Sequence, residues 1–252
     1  MLNDAPFLTG HSTALALIPA IVLLVYIYKK DKREKEPFKL LLKCLLFGVV
    51  STVAAVVLEE LGTDLLESDL IEGSFEYALI DAFIIAALSE ELCKYVMLKI
   101  GTWKSPEFNC YFDGIVYAVF VSLGFAAFEN VFYVIDGGLS VALWRMFTAV
   151  PLHAFDAVFM GYFYSRAKKA SLEGSRRVMR RNKRRSLLVP ILLHGFYDFF
   201  PSLEEEVVGS TAFTIGLFIW AAFVIAMFVI TLRMVKRASK NDEMFINEPG
   251  SV

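Results

Sequence analysis

Cysteine is scarce in this chain: Cys44, Cys93 and Cys110 are scattered through 252 residues with no CxxC pair. That excludes a disulfide framework and a thiolate zinc site. Histidine is equally rare, with three residues. No Asn-x-Ser/Thr sequon occurs, and no basic stretch precedes the first apolar run. That run therefore reads as a retained span and not as a cleaved signal. Neither an internal repeat nor a separate soluble domain is visible.

Apolar residues are what the chain has in excess. It is 57% hydrophobic and 14% aromatic, whereas soluble domains contain about 45–50% apolar residues. Runs near 20 residues recur, which predicts an all-α, polytopic bundle in the cell membrane. About seven transmembrane helices are expected, at roughly 12–28, 40–58, 77–100, 112–135, 141–164, 186–201 and 211–233. The sixth is short and contains Pro190, so it either borrows flanking residues to cross or is broken. Residues 1–240 form one transmembrane domain, and 241–252 read as a disordered cytoplasmic tail.

The net charge of −2 conceals a strong segregation. Of 25 Lys and Arg, six lie in 29–39, two at Lys99 and Lys104, ten in 166–185 and four between Arg233 and Lys240. These are alternate connections, on one side of the membrane. The opposite connections are acidic, with Glu59, Glu60, Asp64, Glu67, Asp69, Glu72 and Glu76 in one and Glu204 to Glu206 in another. The positive-inside rule then places the N-terminus outside and the C-terminus in the cytoplasm. The loop from Arg166 to Arg185 reads as a topology signal that meets anionic lipid headgroups, not as a nucleic-acid site.

Against this background the stretch Leu88-Ser89-Glu90-Glu91-Leu92-Cys93-Lys94 stands out inside an apolar run. Each charge at mid-membrane costs about 2.5–3.5 kcal/mol or more, so the three must be partnered, hydrated or metal-bound. Partners are available on three following spans: Glu129 and Asn130, His153 and Asp156, His194 and Asp198. Glu90 and Glu91 lie four and three residues before Lys94, which allows pairing on one helix face. Asp156 and Asp198 lie three and four residues after a histidine, near enough to orient each ring. One buried polar site walled by spans three to six is expected.

Residue type then indicates chemistry. Two histidines and a glutamate are a ligand set for catalytic zinc, which keeps a fourth position for water. His153, His194 and Glu129 supply the ligands, Glu90 or Glu91 the base, and Lys94 steadies the second carboxylate or the oxyanion. Plainer roles fall to other polar residues. Glu59-Glu60 ends a span at an acidic loop and reads as solvated, and His11 reads as structural. Arg145 caps the interface or reaches Asp136 or Glu129, while Phe125, Tyr133 and Tyr197 read as packing.

These motifs resemble those of the PrsW-type intramembrane proteases, related to the CAAX endopeptidases. The matching residues are Glu90-Glu91-x-x-Lys94, Phe125-x-x-x-Glu129-Asn130, Pro151-Leu152-His153-Ala154 and His194-x-x-x-Asp198, preceded by Tyr28-x-x-Asp31 and Glu36-Pro37. The resemblance implies cleavage of a membrane-anchored protein, such as an anti-sigma factor, with Glu90, Glu91, Glu129, His153 and His194 as functional positions. It leaves two mechanisms open. One uses a zinc-bound water; in the other a glutamate and a histidine activate water directly, with His194 and Asp198 holding the oxyanion. Glu129 stands where the CAAX relatives place histidine. The competing class is a proton- or ion-coupled transporter using the same Glu/His/Asp groups, against which the lack of a repeat argues. A catalytically dead scaffold is the third.

Overall fold

The computed structural model describes residues 5–67, 70–72 and 74–245, without the side chains of 5–16, 67, 134, 136, 138, 139 and 142. The expectations for His11 and for an Arg145–Asp136 contact fall outside that description. Among the described residues the regular structure is helical: α1 (Ala5–Lys30), α2 (Phe38–Glu67), α3 (Phe75–Ile80), a π-helical segment (Asp81–Ala86), α4 (Ala87–Thr102), α5 (Asp113–Phe147), α6 (Ala149–Leu172), α7 (Arg176–Phe199), α8 (Glu205–Val208) and α9 (Ser210–Lys240). Among the described residues four stretches are long and apolar enough to cross a membrane, Phe38–Leu66, Asp113–Tyr133, Leu143–Leu172 and Ser210–Lys240. The run from α3 to α4 is interrupted by Glu90, Glu91 and Lys94, and the first half of α7 is basic. Between Ile215 and Ile230 of α9 the exposed side chains are apolar, among them Phe218, Ile225 and Phe228. A surface of that kind is stable in lipid and a liability in water.

Helix α5 is the centre, touching α1, α2, α4 and α6. Its first half is buried nearly all round, with Tyr117, Leu123 and Phe125 sealed inside. Close approach of α2 depends on Gly48 and Gly124, since a Cβ on Gly124 would come within 2.2 Å of the Leu45 carbonyl oxygen. Small residues at crossings are how membrane helices gain contact area without a hydrophobic driving force.

Two connections differ from the sequence expectation. Helical hydrogen bonding continues through the expected break near 136–140, yet Arg145 returns to within 2.7 Å of Glu129. Sixteen residues of straight helix would span about 24 Å, so α5 must bend sharply between these two positions. The basic connection 166–185 is helical for most of its length, because Arg and Lys are good helix formers. Only residues 173–175 separate α6 from α7. There the Ser175 amide donates to the Ala170 carbonyl at 2.9 Å and the Gly174 amide to that of Ser171 at 3.3 Å. Gly174 has φ +74, which makes this a Schellman cap. Helix α7 then runs on through Pro190 without a break.

The tail is anchored where it can be seen. Residues 241–245, expected to be disordered with the rest of 241–252, lie against the α4–α5 connection. The Phe245 amide donates to the Asn109 carbonyl at 2.7 Å and the Tyr111 amide to that of Glu243 at 3.1 Å. Phe245 packs on Phe108 and Tyr111. Backbone pairing and aromatic burial offset the entropy that would otherwise leave a terminus free; 246–252 lie outside the described residues.

Beside this contact, in the α1–α2 connection, Glu36 is buried and accepts a hydrogen bond from the Tyr117 hydroxyl. Burial, then the neighbouring Asp113 carboxylate, push the Glu36 carboxyl up to about 9. A carboxyl that holds its proton more tightly when folded adds most stability below its unfolded value, near 4.5, and loses it as pH rises through about 9. Thermal unfolding of the purified protein should therefore show stability falling between pH 5 and pH 9. Glu36→Gln should flatten that slope, by at most about 1.4 kcal/mol per pH unit; parallel slopes for the two proteins would refute the assignment.

Candidate active site

The α3–α4 run enters the site through its π-helical segment. Six π-helical residues are uncommon and mark an altered helical register; here the segment runs directly into α4 and ends four residues before Glu90. The π segment also meets α7 closely: a Cβ on Gly195 would lie 2.4 Å from Phe83. Helix α7 can thus come near enough to α4 to present His194 to Glu91.

Lys94 sits at the middle of the cluster, fully buried. Its ammonium donates to Glu90 Oε2 at 2.7 Å, to Glu91 Oε1 at 2.8 Å and to His153 Nδ1 at 3.0 Å. The Phe125 ring lies 3.9 Å away, adding a cation–π contact in a dry setting. A donor at Nδ1 fixes the His153 proton on Nε2, which donates to Glu129 Oε2 at 3.0 Å. Glu129 also accepts from Arg145 Nη2 at 2.7 Å, and Arg145 Nε donates to Asn130 Oδ1 at 3.0 Å. On the other flank His194 Nδ1 is 3.0 Å from Glu91 Oε1, and its Nε2 is 3.0 Å from Asp198 Oδ2. The two imidazoles meet edge to face at 5.3 Å.

Glu90, Glu91, His153 and His194 each offer a ligand atom, all within 4.8 Å of one another and all buried. The ligand set read from the sequence, Glu129 with His153 and His194, is not the group gathered here. Glu129 stands beside it, engaged by Arg145 and His153, and both α4 carboxylates take part instead. Asp198 orients His194 as its spacing predicts. Asp156 does not do the same for His153, whose ring nitrogens are taken by Lys94 and Glu129. Both Asp156 oxygens are buried without a hydrogen-bond partner, as is Glu91 Oε2.

A cavity of about 430 Å³ opens onto Glu90, Glu129, His153, His194, Asp198 and Arg145. Glu59 and Asp81 line it too. The reading of Glu59 as solvated is corrected here: Glu60 is exposed, but Glu59 points inward, with Oε1 buried and unbonded. Consecutive helical residues diverge by about 100°, so the two carboxylates of one dipeptide meet different surroundings. Counting Glu91, six carboxylates converge on this region against the cations Lys94 and Arg145. That excess of negative charge, with two imidazoles and a bare buried carboxylate oxygen, suits a divalent cation. Hard oxygen and borderline nitrogen donors together suit a metal of the zinc type.

Comparison with known proteins agrees with this chemistry. The family described as PrsW family intramembrane metalloprotease matches residues 36–232. Protease PrsW of Oceanobacillus iheyensis is 32% identical over 225 residues, covering 89% of this chain and 94% of the relative. Protease PrsW of Geobacillus kaustophilus is 33% identical over 225 residues, 87% of this chain and 88% of the relative. Protease PrsW of Bacillus subtilis is 30% identical over 222 residues, 88% and 93% respectively. No solved structure matches significantly.

Proposed function

The chain belongs to the PrsW family of intramembrane metalloproteases, and from that premise we propose that zinc is held by His153, His194 and Glu91, with Glu90 as the general base. The observation that carries this is the buried four-residue donor group within 4.8 Å. When bound by these residues, a divalent metal would supply Lewis-acid polarisation of the scissile carbonyl and a more acidic water. Glu90 is the α4 carboxylate that reaches the cavity. It takes the proton from the attacking water and returns it to the leaving amine nitrogen. Lys94 offsets the charge of the paired carboxylates, and Asp198 steers the His194 ring. Glu129 and Arg145 form the outer wall, which binds or excludes substrate.

The substrate we propose is a membrane-anchored protein, with a single-pass anti-sigma factor as the first to test. Its cleaved stretch must be unwound, because a helix hides its own carbonyls in intrachain hydrogen bonds. The chain would cross the cell membrane seven times, with the N-terminus outside and the basic ends of α6 and α9 in the cytoplasm. Family membership favours hydrolysis over ion-coupled transport.

Elemental analysis of the purified protein should find about one zinc per chain. Chelation should remove it and stop cleavage of a co-expressed substrate, and restoring zinc should recover both. Full cleavage by metal-free protein would overturn the zinc reading and favour direct activation of water by glutamate and histidine.

A further inference from the structure

At the end of the bundle remote from the cavity, two clefts meet at Arg166. One, of about 460 Å³, lies between α6 and α7 and is lined by Arg166, Lys169, Arg181 and Arg185, with Glu173 as its one carboxylate. The other, of about 630 Å³, lies between α6 and α9 and is lined by Ile115, Phe159 and Met234 together with Arg166 and Arg237. Both α6 and α9 are among the stretches apolar enough to span a membrane, and both end in basic residues. The clefts therefore sit at the level where hydrocarbon gives way to headgroups, whichever way the protein is inserted.

From Arg166 to Arg185 ten basic residues face a single acidic one, Glu173. Only Lys169 pairs with it, at 3.8 Å. Among the described residues Arg166, Arg181 and Arg185 make no ion pair. Arg166 is held instead over the Tyr162 ring at 4.1 Å and Arg185 lies 5.9 Å from the Phe163 ring. Aromatic contact orders a guanidinium while leaving its donors free for a bidentate anion, and a phosphate fits that fork. Glu173 in the first cleft is offset by Lys169; Glu243 lines the second cleft beside Ile115, Phe159 and Met234, and that apolar wall suits an acyl chain.

We propose that these joined clefts bind one anionic phospholipid, its phosphate against Arg166, Arg181 and Arg185 and a chain along Ile115, Phe159 and Met234. Basic pockets between membrane helices recognise acidic headgroups in this manner. The site is separate from the catalytic reading and stands whether or not that reading holds.

Native mass spectrometry of the full-length protein in detergent, with phosphatidylglycerol or phosphatidylcholine added, tests it. The protein should retain one phosphatidylglycerol in clear preference to phosphatidylcholine. Arg166→Gln/Arg185→Gln should weaken that retention by roughly 10–30-fold, while Arg166→Lys/Arg185→Lys should keep part of it. Soluble glycerol phosphate should not displace the lipid, because it lacks the chain. Equal retention of the two lipids by the unaltered protein would overturn the proposal, even if the variants fail to fold. Undiminished binding by the glutamine variant, or displacement by glycerol phosphate, would also overturn it.

Discussion

Glutamine at position 90 is expected to slow substrate cleavage by about 10²–10⁴-fold, the range for loss of a general base, while the zinc content stays near that of the unaltered protein. Glutamine at position 91 should do the reverse first: metal affinity falls, and excess zinc recovers part of the rate. The difference follows from where the two carboxylates point. Glu90 lines the cavity, where water and substrate enter. Glu91 is sealed at 0% exposure, held by Lys94 and His194, with Oε2 bare. Amide in place of carboxylate at 91 weakens a ligand and releases the His194 ring, and loosened ring orientation alone costs about 10–100-fold in metal affinity. Elemental analysis beside a cleavage time course separates the roles. Zinc lost from Glu90→Gln but kept by Glu91→Gln would exchange them, and unimpaired cleavage by both would remove the carboxylates from the chemistry.

How much of this is legible in the sequence depends on whether a residue's partners lie within one helical turn. Glu90, Glu91 and Lys94 share one helix face, and their spacing foretold the two ion pairs observed at 2.7 and 2.8 Å. His194 and Asp198, four apart, meet at 3.0 Å for the same reason. Partners farther off were harder to assign. Glu129 carries the residue type of a ligand, but its partner is Arg145, sixteen residues on in the same helix and brought back by a bend in α5 that hydropathy does not encode. A nearby guanidinium satisfies that carboxylate and leaves the α4 pair to meet the imidazoles. Glu59 left a signal that went unused. Gly48, Thr52, Ala55, Glu59 and Gly62 recur at helical spacing along α2 as a stripe of small and polar residues, and a stripe of that kind faces other helices, not lipid. Glu60 falls off it. The π-helical segment has no sequence signature of this kind, since its register depends on contact with α7 through Phe83 and Gly195. The basic connection was misjudged as loop because charge was read as exposure, whereas arginine favours helix and the Gly174 cap supplies the stop.

The largest effect on stability is expected from Lys94→Met, which keeps an unbranched side chain one atom shorter and removes its charge. The ammonium is fully buried, with three polar partners within 3.0 Å and an aromatic face at 3.9 Å. Removing one side of a buried ion pair leaves an uncompensated charge and costs about 3–5 kcal/mol. Here two carboxylates lose their common counter-ion. Metal becomes the remaining cation among them, so the variant's stability should come to depend on it. In a detergent thermal melt, chelation should lower the midpoint of Lys94→Met much more than that of the unaltered protein. Adding Glu90→Gln to Lys94→Met should then restore part of the loss, because it removes one of the two stranded charges. A Lys94→Met protein as stable as the original after chelation would show that the carboxylates are neutralised or hydrated some other way. The ammonium would then not be the group that lets two adjacent glutamates sit inside the membrane.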